Sequence, residues 1–369
     1  MSCFFHNPVA VHTGPEAYAS LPRYLQSGSI VLLTTARWLR AGADKKIRAF
    51  IPAANWLIET IAPNPDLDVL DAQARSLRPE AISAVVALGG GSAMDGGKVL
   101  AAALAQDSAW SLREYFERET HRLPRAALPF FCIPTTAGTG AEITPFATVW
   151  DKAALKKYSL YDQSLYASAV FLDPALTLSL PWSETLSGAM DALSHSLETL
   201  WNKNATPASL ALAREALVLI LDFFPQVTTS PNSLSARSRL QEAATLAGMA
   251  ISQNRTAIAH AISYPLTLHF AVPHGLACSF TLPALIGMVT EKYAWRRDVD
   301  RQLAVRAAEL MRGLHLGRII LDFCRPDAVY ALIDAMFTPE RAGNFIMPVG
   351  KTDVMAILRN SLAGQDDVE

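Results

Sequence analysis

One stretch constrains the fold more than any other. Ala81–Leu88 (AISAVVAL) runs directly into Gly89-Gly90-Gly91-Ser92 and then into a helical stretch, Ala93–Gln106. The first segment has the length and Val/Ile content of a buried strand. Strand, glycine turn and helix in that order build a phosphate-binding site: glycines let the backbone approach an anion, and free N–H groups at the helix start point at it. The spacing fits neither G-x-G-x-x-G nor a Walker loop, and the alternative is a tight turn that binds nothing. Asp95, in the first turn of the helix, either caps N–H groups or meets a ligand hydroxyl.

The surrounding chain reads as an α/β layer. Strand character appears at Ser29–Thr35, near Trp56–Ala62 and at Pro129–Pro134, with a helix at Leu67–Ser76. Thr135-Thr136-Ala137-Gly138-Thr139-Gly140-Ala141-Glu142 follows as a small, hydroxyl-rich loop suited either to ligand contact or to a plain hairpin turn. Thr144–Val149, Lys156–Leu160 and Ala169–Leu172 complete the strands. From Ser183 the pattern turns helical, with Ser183 as N-cap of the first helix and Thr206-Pro207 opening the second, which runs to about Phe224. Arg237–Ser252, Val329–Phe337 and Asp353–Leu362 are further helices. The plan is an α/β domain over residues 1–181 and an all-helical domain over 182–369, with a ligand expected in the cleft between them.

The helical half carries a second pattern. Asp191 and His195 are four apart in GAMDALSHSLETL, on one face of a helix; His260 and His274 follow in RTAIAHAISYPL and AVPHGLACSF. A carboxylate and imidazoles suit a divalent iron or zinc ion with a coordination position left for substrate. The same D-x-x-x-H spacing also makes an ordinary ion pair, and spacing alone does not join the later histidines to it. Cys278, four after His274, is read as a small buried apolar side chain rather than a ligand.

Composition excludes several classes. A net charge of -2 without a long Lys/Arg run gives no case for nucleic acid or a membrane surface. The N-terminus lacks the pattern of a signal peptide, and apolar runs are far short of the ~20 residues of a spanning helix. The four cysteines form no C-x-x-C, as expected of reduced thiols in a cytoplasmic protein.

GGGSAMDGGK, PTTAGTGAEITPFATV, DPALTLSLP, D-A-L-S-H and P-H-G, in this order along nearly the whole chain, resemble the iron-dependent (group III) alcohol dehydrogenases. The resemblance implies a dinucleotide-binding N-terminal domain, a helical metal-binding C-terminal domain, Fe²⁺ or Zn²⁺, NAD(P)H, and a homodimer or larger oligomer. It implies Asp191, His195, His260 and His274 as metal ligands, and Gly89, Gly90, Gly91, Ser92 and Asp95 as the pyrophosphate loop. Thr135 and Thr136 match the loop near the nicotinamide, and Lys157 matches a lysine near the cofactor. Two positions depart from the family pattern. Tyr264 stands where many members have a proton-relaying histidine, and its hydroxyl, with an ordinary pKa near 10, is a weaker base. Ala36-Arg37 stand where NAD-using members carry an aspartate, which favours NADP(H).

LWNKNATP and HAISYPLTLHFAVPHGLACSFTLP look like the phosphonoacetaldehyde reductase subgroup, which interconverts phosphonoacetaldehyde and 2-hydroxyethylphosphonate. A phosphonate needs cations near the metal, and Lys203 and Arg255 are the candidates. Lys203 would lie about 12 Å beyond His195 on a continuous helix, and Arg255 would serve only if its helix breaks. Rival readings within this resemblance are a dehydrogenase of simple alcohols or diols, a maleylacetate reductase, and a lyase of the dehydroquinate synthase type.

Overall fold

The structure is a computed structural model that describes residues 4–118, 122–154, 156–293, 295–337 and 339–362. The chain divides into two compact units, residues 7–136 with 140–179, and residues 1–6 and 137–139 with 180–369.

The first unit is built on a six-stranded parallel sheet. Its strands are β1 (Ala10–Thr13), β2 (Gly28–Thr34), β3 (Ala54–Thr60), β4 (Ile82–Gly89), β5 (Phe130–Pro134) and β8 (Ala169–Leu172), in the order β1-β8-β5-β4-β2-β3. An antiparallel hairpin, β6 (Phe146–Asp151) and β7 (Lys156–Tyr161), stands apart from it. Five helices accompany the strands: α1 (Ala36–Arg40), α2 (Ala43–Ala49), α3 (Leu67–Leu77), α4 (Gly91–Leu104) and α5 (Leu112–Glu117). Successive residues of the central strands feed opposite cores. Val31, Leu33, Val85 and Ala87 pack into one cluster with α3 and α4, while Ile30, Leu32, Ala84 and Val86 pack into the other. That two-sided burial is why these strands read as unbroken apolar runs.

The second unit is helical: α6 (Trp182–Leu200), α7 (Pro207–Thr229), α8 (Leu234–Asn254), α9 (Ile258–Phe270), α10 (His274–Ser279), α11 (Leu282–Lys292), α12 (Asp298–Gly313), α13 (Leu316–Leu321), α14 (Pro326–Ala331), α15 (Ile333–Met336), α16 (Pro339–Ala342) and α17 (Lys351–Leu362). Thr206 opens α7 through a reciprocal capping box: its hydroxyl accepts from Ser209 N–H at 3.2 Å while Ser209 Oγ accepts from Thr206 N–H at 2.9 Å. No helix of the described residues is long and apolar enough to cross a membrane.

Several local expectations are corrected. The edge strand β1, four residues paired only with β8, precedes the first strand read from the sequence. Ser183 is not the N-cap of α6: the helix begins at Trp182 after Pro181, whose fixed φ serves as entry, and Trp182 stacks on Phe224 at 5.7 Å. Helix α7 continues past Phe224 to Thr229, through Pro225. Val329–Phe337 is not one helix but parts of α14 and α15, with Leu332 between them.

Candidate metal centre

Helix α6 carries Asp191 and His195 inward, and a third group, Glu198, one turn further on. All three are buried, with Glu198 fully so. Polar residues survive inside this helix because their hydroxyls bond back to it: Ser194 Oγ donates to Met190 O at 2.7 Å and Thr199 Oγ1 to His195 O at 2.9 Å.

Helix α8 ends at Asn254, and the chain turns at Arg255 with φ of 58° before α9 begins. The start of α9 has no side-chain cap of its own. Glu198 supplies one from α6, accepting from Ala257 N–H at 2.7 Å, Ala259 N–H at 2.6 Å and His260 N–H at 3.3 Å. The same carboxylate takes the ring of His260, with Oε2 2.8 Å from Nδ1. Glu198 therefore fixes Nδ1 as the donor nitrogen and turns Nε2 toward Asp191, the way second-shell carboxylates orient metal-binding imidazoles.

His274 opens α10 after Pro273. The next residue must be glycine: a Cβ on Gly275 would lie 1.8 Å from the carbonyl oxygen of Ser187 in α6. This backbone contact presses α10 against the ligand-bearing helix.

The result is a convergence of the residues singled out in sequence. Nε2 of His195 and Nε2 of His260 each lie 3.5 Å from Asp191 Oδ1. The His195 and His260 rings stack with centroids 4.8 Å apart, and the His274 ring lies 5.4 Å from that of His260. Donor atoms of Asp191, His260, His274 and Cys278 are all within 4.8 Å of one another. Cys278, expected as an inert apolar side chain, thus faces the cluster, with its sulfur 3.5 Å from His274 Nε2.

The cluster has the donors and spacing of a cation site. Among the described residues Asp191 Oδ1 and His260 Nε2 are buried without a hydrogen-bond partner, which a native interior rarely tolerates. Nitrogen and oxygen ligands ~2.1 Å from a shared cation sit about 3.4 Å apart at the corners of a tetrahedron. Burial opposes charge on Asp191, but His195, His260 and His274 together hold its carboxyl below the usual range. Burial pushes His195 down to about 4, so its imidazole is neutral and able to donate a lone pair. Burial also opposes charge on Glu198, yet His260 and the α9 amides hold it ionised below its ordinary value.

Around this cluster, Tyr264 sits one turn after His260 and stacks on His274 at 5.5 Å with rings 16° from parallel. Lys203 and Arg255 are exposed. Lys203 lies beyond the end of α6, not on its continuation, and α8 does break at Arg255.

In the first unit, α4 begins at Gly91, two residues earlier than the sequence pattern suggested, so Gly91 and Ser92 lie in its first turn. A Cβ on Gly90 would come within 3.0 Å of Thr136 Cγ2, so the glycine turn and the threonine loop lie against each other. Thr135 N–H donates to Gly89 O at 2.9 Å, and Trp38 Nε1 donates to Thr135 Oγ1 at 3.2 Å. Ser92 Oγ accepts from Asn64 N–H at 3.2 Å. Asp95 does not cap α4: its carboxylate accepts from Thr148 N–H at 3.0 Å, tying the helix to the hairpin. Lys157 Nζ stands 5.6 Å over the Trp150 ring, and Arg37 donates to Ser179 O.

Residues 8–174 match the model of iron-containing alcohol dehydrogenases, and residues 185–341 match the C-terminal model of the same family. The chain belongs to the iron-containing alcohol dehydrogenase family. Within it, the chain is 39% identical over 224 residues to phosphonoacetaldehyde reductase of Streptomyces viridochromogenes, covering 59% of this chain and 56% of that one. It is 33% identical over 283 residues to 1-propanol dehydrogenase PduQ of Citrobacter freundii, covering 75% and 69%. A crystal structure of sulfoacetaldehyde reductase from Bifidobacterium kashiwanohense in complex with NAD⁺ aligns with 99% of this chain and 100% of its own, at a TM-score of 0.89 and 26% identity. Family membership accounts for the paired architecture, a parallel sheet unit followed by a helical one.

Sequence reasoning missed Glu198; Cys278, read as a small buried side chain, is buried and also faces the cluster. The signal for Glu198 was its i+3 spacing from His195 on a helix face already known to be inward.

Proposed function

We propose that this chain is a metal-dependent NAD(P)H reductase of a small aldehyde bearing an anionic group, with phosphonoacetaldehyde and 2-hydroxyethylphosphonate as the pair interconverted. The observation that carries the reading is the convergence of Asp191, His195, His260 and His274 on one buried point. Relatives named for phosphonoacetaldehyde and sulfoacetaldehyde support the substrate class.

Asp191, His195, His260 and His274 would hold the cation, and Fe²⁺ or Zn²⁺ suits that donor set. When bound, it supplies Lewis-acid polarisation of the carbonyl. Glu198 fixes the His260 ring so that no reorientation is needed on binding. The amides at the start of α4 would hold the cofactor pyrophosphate. A bound nicotinamide would supply the hydride for the carbonyl carbon, and the carbonyl oxygen would need one proton. Tyr264, stacked on His274, is the candidate donor of that proton. Arg37, in the first turn after β2, favours NADPH over NADH.

The test is to strip the protein of metal, reload it with Fe²⁺ or Zn²⁺, and follow NADPH and NADH oxidation with phosphonoacetaldehyde, butyraldehyde and maleylacetate. Metal-dependent turnover highest with phosphonoacetaldehyde is expected. Preference for butyraldehyde would move the chain to the simple-alcohol enzymes, and turnover without metal would overturn the site assignment.

A further inference from the structure

We infer that Arg341 is the anion-binding end of the substrate site, receiving the tetrahedral headgroup of a phosphonate or sulfonate one methylene away from the aldehyde carbon. This rests on the reductase reading above. Arg341 Cζ lies 4.3 Å from the centroid of the Tyr264 ring, and Tyr264 in turn stacks on His274. One aromatic ring thus separates a partly exposed guanidinium from a residue of the metal cluster.

Three features make this arginine a receptor rather than a surface charge. Among the described residues no carboxylate lies within ion-pair distance of it. Contact with an aromatic face orients the guanidinium while its N–H groups stay available, a fork suited to two oxygens of a tetrahedral anion. Its backbone also belongs to a junction with two more cations. Asn344 N–H donates to Arg341 O at 3.0 Å, Lys203 N–H donates to Asn344 O at 2.8 Å, and Asn202 Nδ2 donates to Arg255 O at 3.1 Å. Asn344 Nδ2 closes the junction on Thr256 O at 2.9 Å. The three basic residues therefore share one stitched region, and Arg341 is the one seated on a ring of the site.

The dimensions agree with a short substrate. A carbonyl oxygen and a headgroup oxygen separated by one methylene lie roughly 4–5 Å apart, and a charge-assisted N–H···O contact adds about 2.8 Å. The steps from Arg341 Cζ to the Tyr264 centroid and from there to the His274 centroid are 4.3 and 5.5 Å, so the guanidinium lies no farther from the His274 ring than the two together.

The experiment compares the metal-loaded wild type with Arg341→Gln and Arg341→Lys. Phosphonoacetaldehyde and propanal serve as substrates, and methylphosphonate binding is measured by calorimetry with saturating NADPH. For Arg341→Gln, kcat/KM with phosphonoacetaldehyde should fall roughly 30- to 100-fold, mainly through KM, with a loss on propanal at least about tenfold smaller. Arg341→Lys should recover part of the loss, because it restores charge without the fork. Methylphosphonate should bind the wild type and not the Gln variant. Equal losses on both aldehydes in both variants, or methylphosphonate bound equally by wild type and Arg341→Gln, would overturn the assignment. If methylphosphonate binding depends on Arg341 but the wild type does not turn over phosphonoacetaldehyde, the anion site stands and the substrate reading falls.

Discussion

Glu198 of α6 and His260 of α9 meet at 2.8 Å, Oε2 to Nδ1. The same carboxylate caps α9, so one buried side chain sets both the position of the helix and the rotation of its imidazole. Glu198→Gln would put an amide where carboxylate oxygens now accept three backbone N–H groups and the ring N–H. Metal affinity should fall roughly 10- to 100-fold. Chelator competition measures it directly, and an affinity equal to wild type would remove Glu198 from the site.

Cys278 offers a sulfur donor 3.5 Å from His274 Nε2. For a cation sharing both atoms, Zn–S and Zn–N lengths of ~2.3 and ~2.1 Å place them about 3.6 Å apart. Protein reloaded with Co²⁺ should show a near-ultraviolet sulfur-to-metal charge-transfer band, and Cys278→Ser should lack it. Identical spectra would make the cysteine a packing residue only.

Gly275 holds α10 against α6. Gly275→Ala would drive a methyl group into the Ser187 carbonyl and cost about 3 kcal/mol or more. Thermal melting should show the loss, accompanied by reduced metal content because His274 begins the same helix. A melting temperature within error of wild type would contradict the close approach.

His195 links stability to pH. Burial lowers it from 6.5 to about 4. The unfolded chain takes up a proton near pH 6.5 that the folded chain refuses until about pH 4. This contribution is therefore fully present above pH 6.5 and lost as the pH falls toward 4. His260 has the opposite sign: burial opposes its charge, but Cys278, Glu198 and Asp191 hold it above its ordinary value. Comparing metal-free wild type with His195→Asn separates the two. Between pH 7 and 5 the wild type should lose more stability than the variant, and an equal loss would refute the buried neutral imidazole.

The parallel sheet was legible because its central strands are apolar on both faces; Asp191 and His195 were legible as a pair from their four-residue spacing, and His260 and His274 were joined to them only through the family resemblance. What stayed hidden depended on distant partners. Glu198 looks like a surface residue until the start of α9, some sixty positions later, arrives without a cap. Cys278 reads equally as hydrophobe or donor until His274 is beside it. Arg341 lies far from every motif, and only Tyr264 shows where it belongs, so sequence proximity directed attention to Lys203 and Arg255 instead. The edge strand β1 is too short, and paired on too few sides, to leave a pattern.

Residues 137–139 fold with the helical unit although the chain on both sides of them folds with the sheet. There Gly138 lies so close to Gly188 of α6 that a Cβ on it would be 2.5 Å from the Gly188 Cα. A gene fragment starting at Leu180 would therefore encode a helical half with an exposed groove where that tripeptide belongs. Chimeras that exchange halves between relatives should take residues 137–139 from the same parent as the helices, because inheritance of the two is physically coupled.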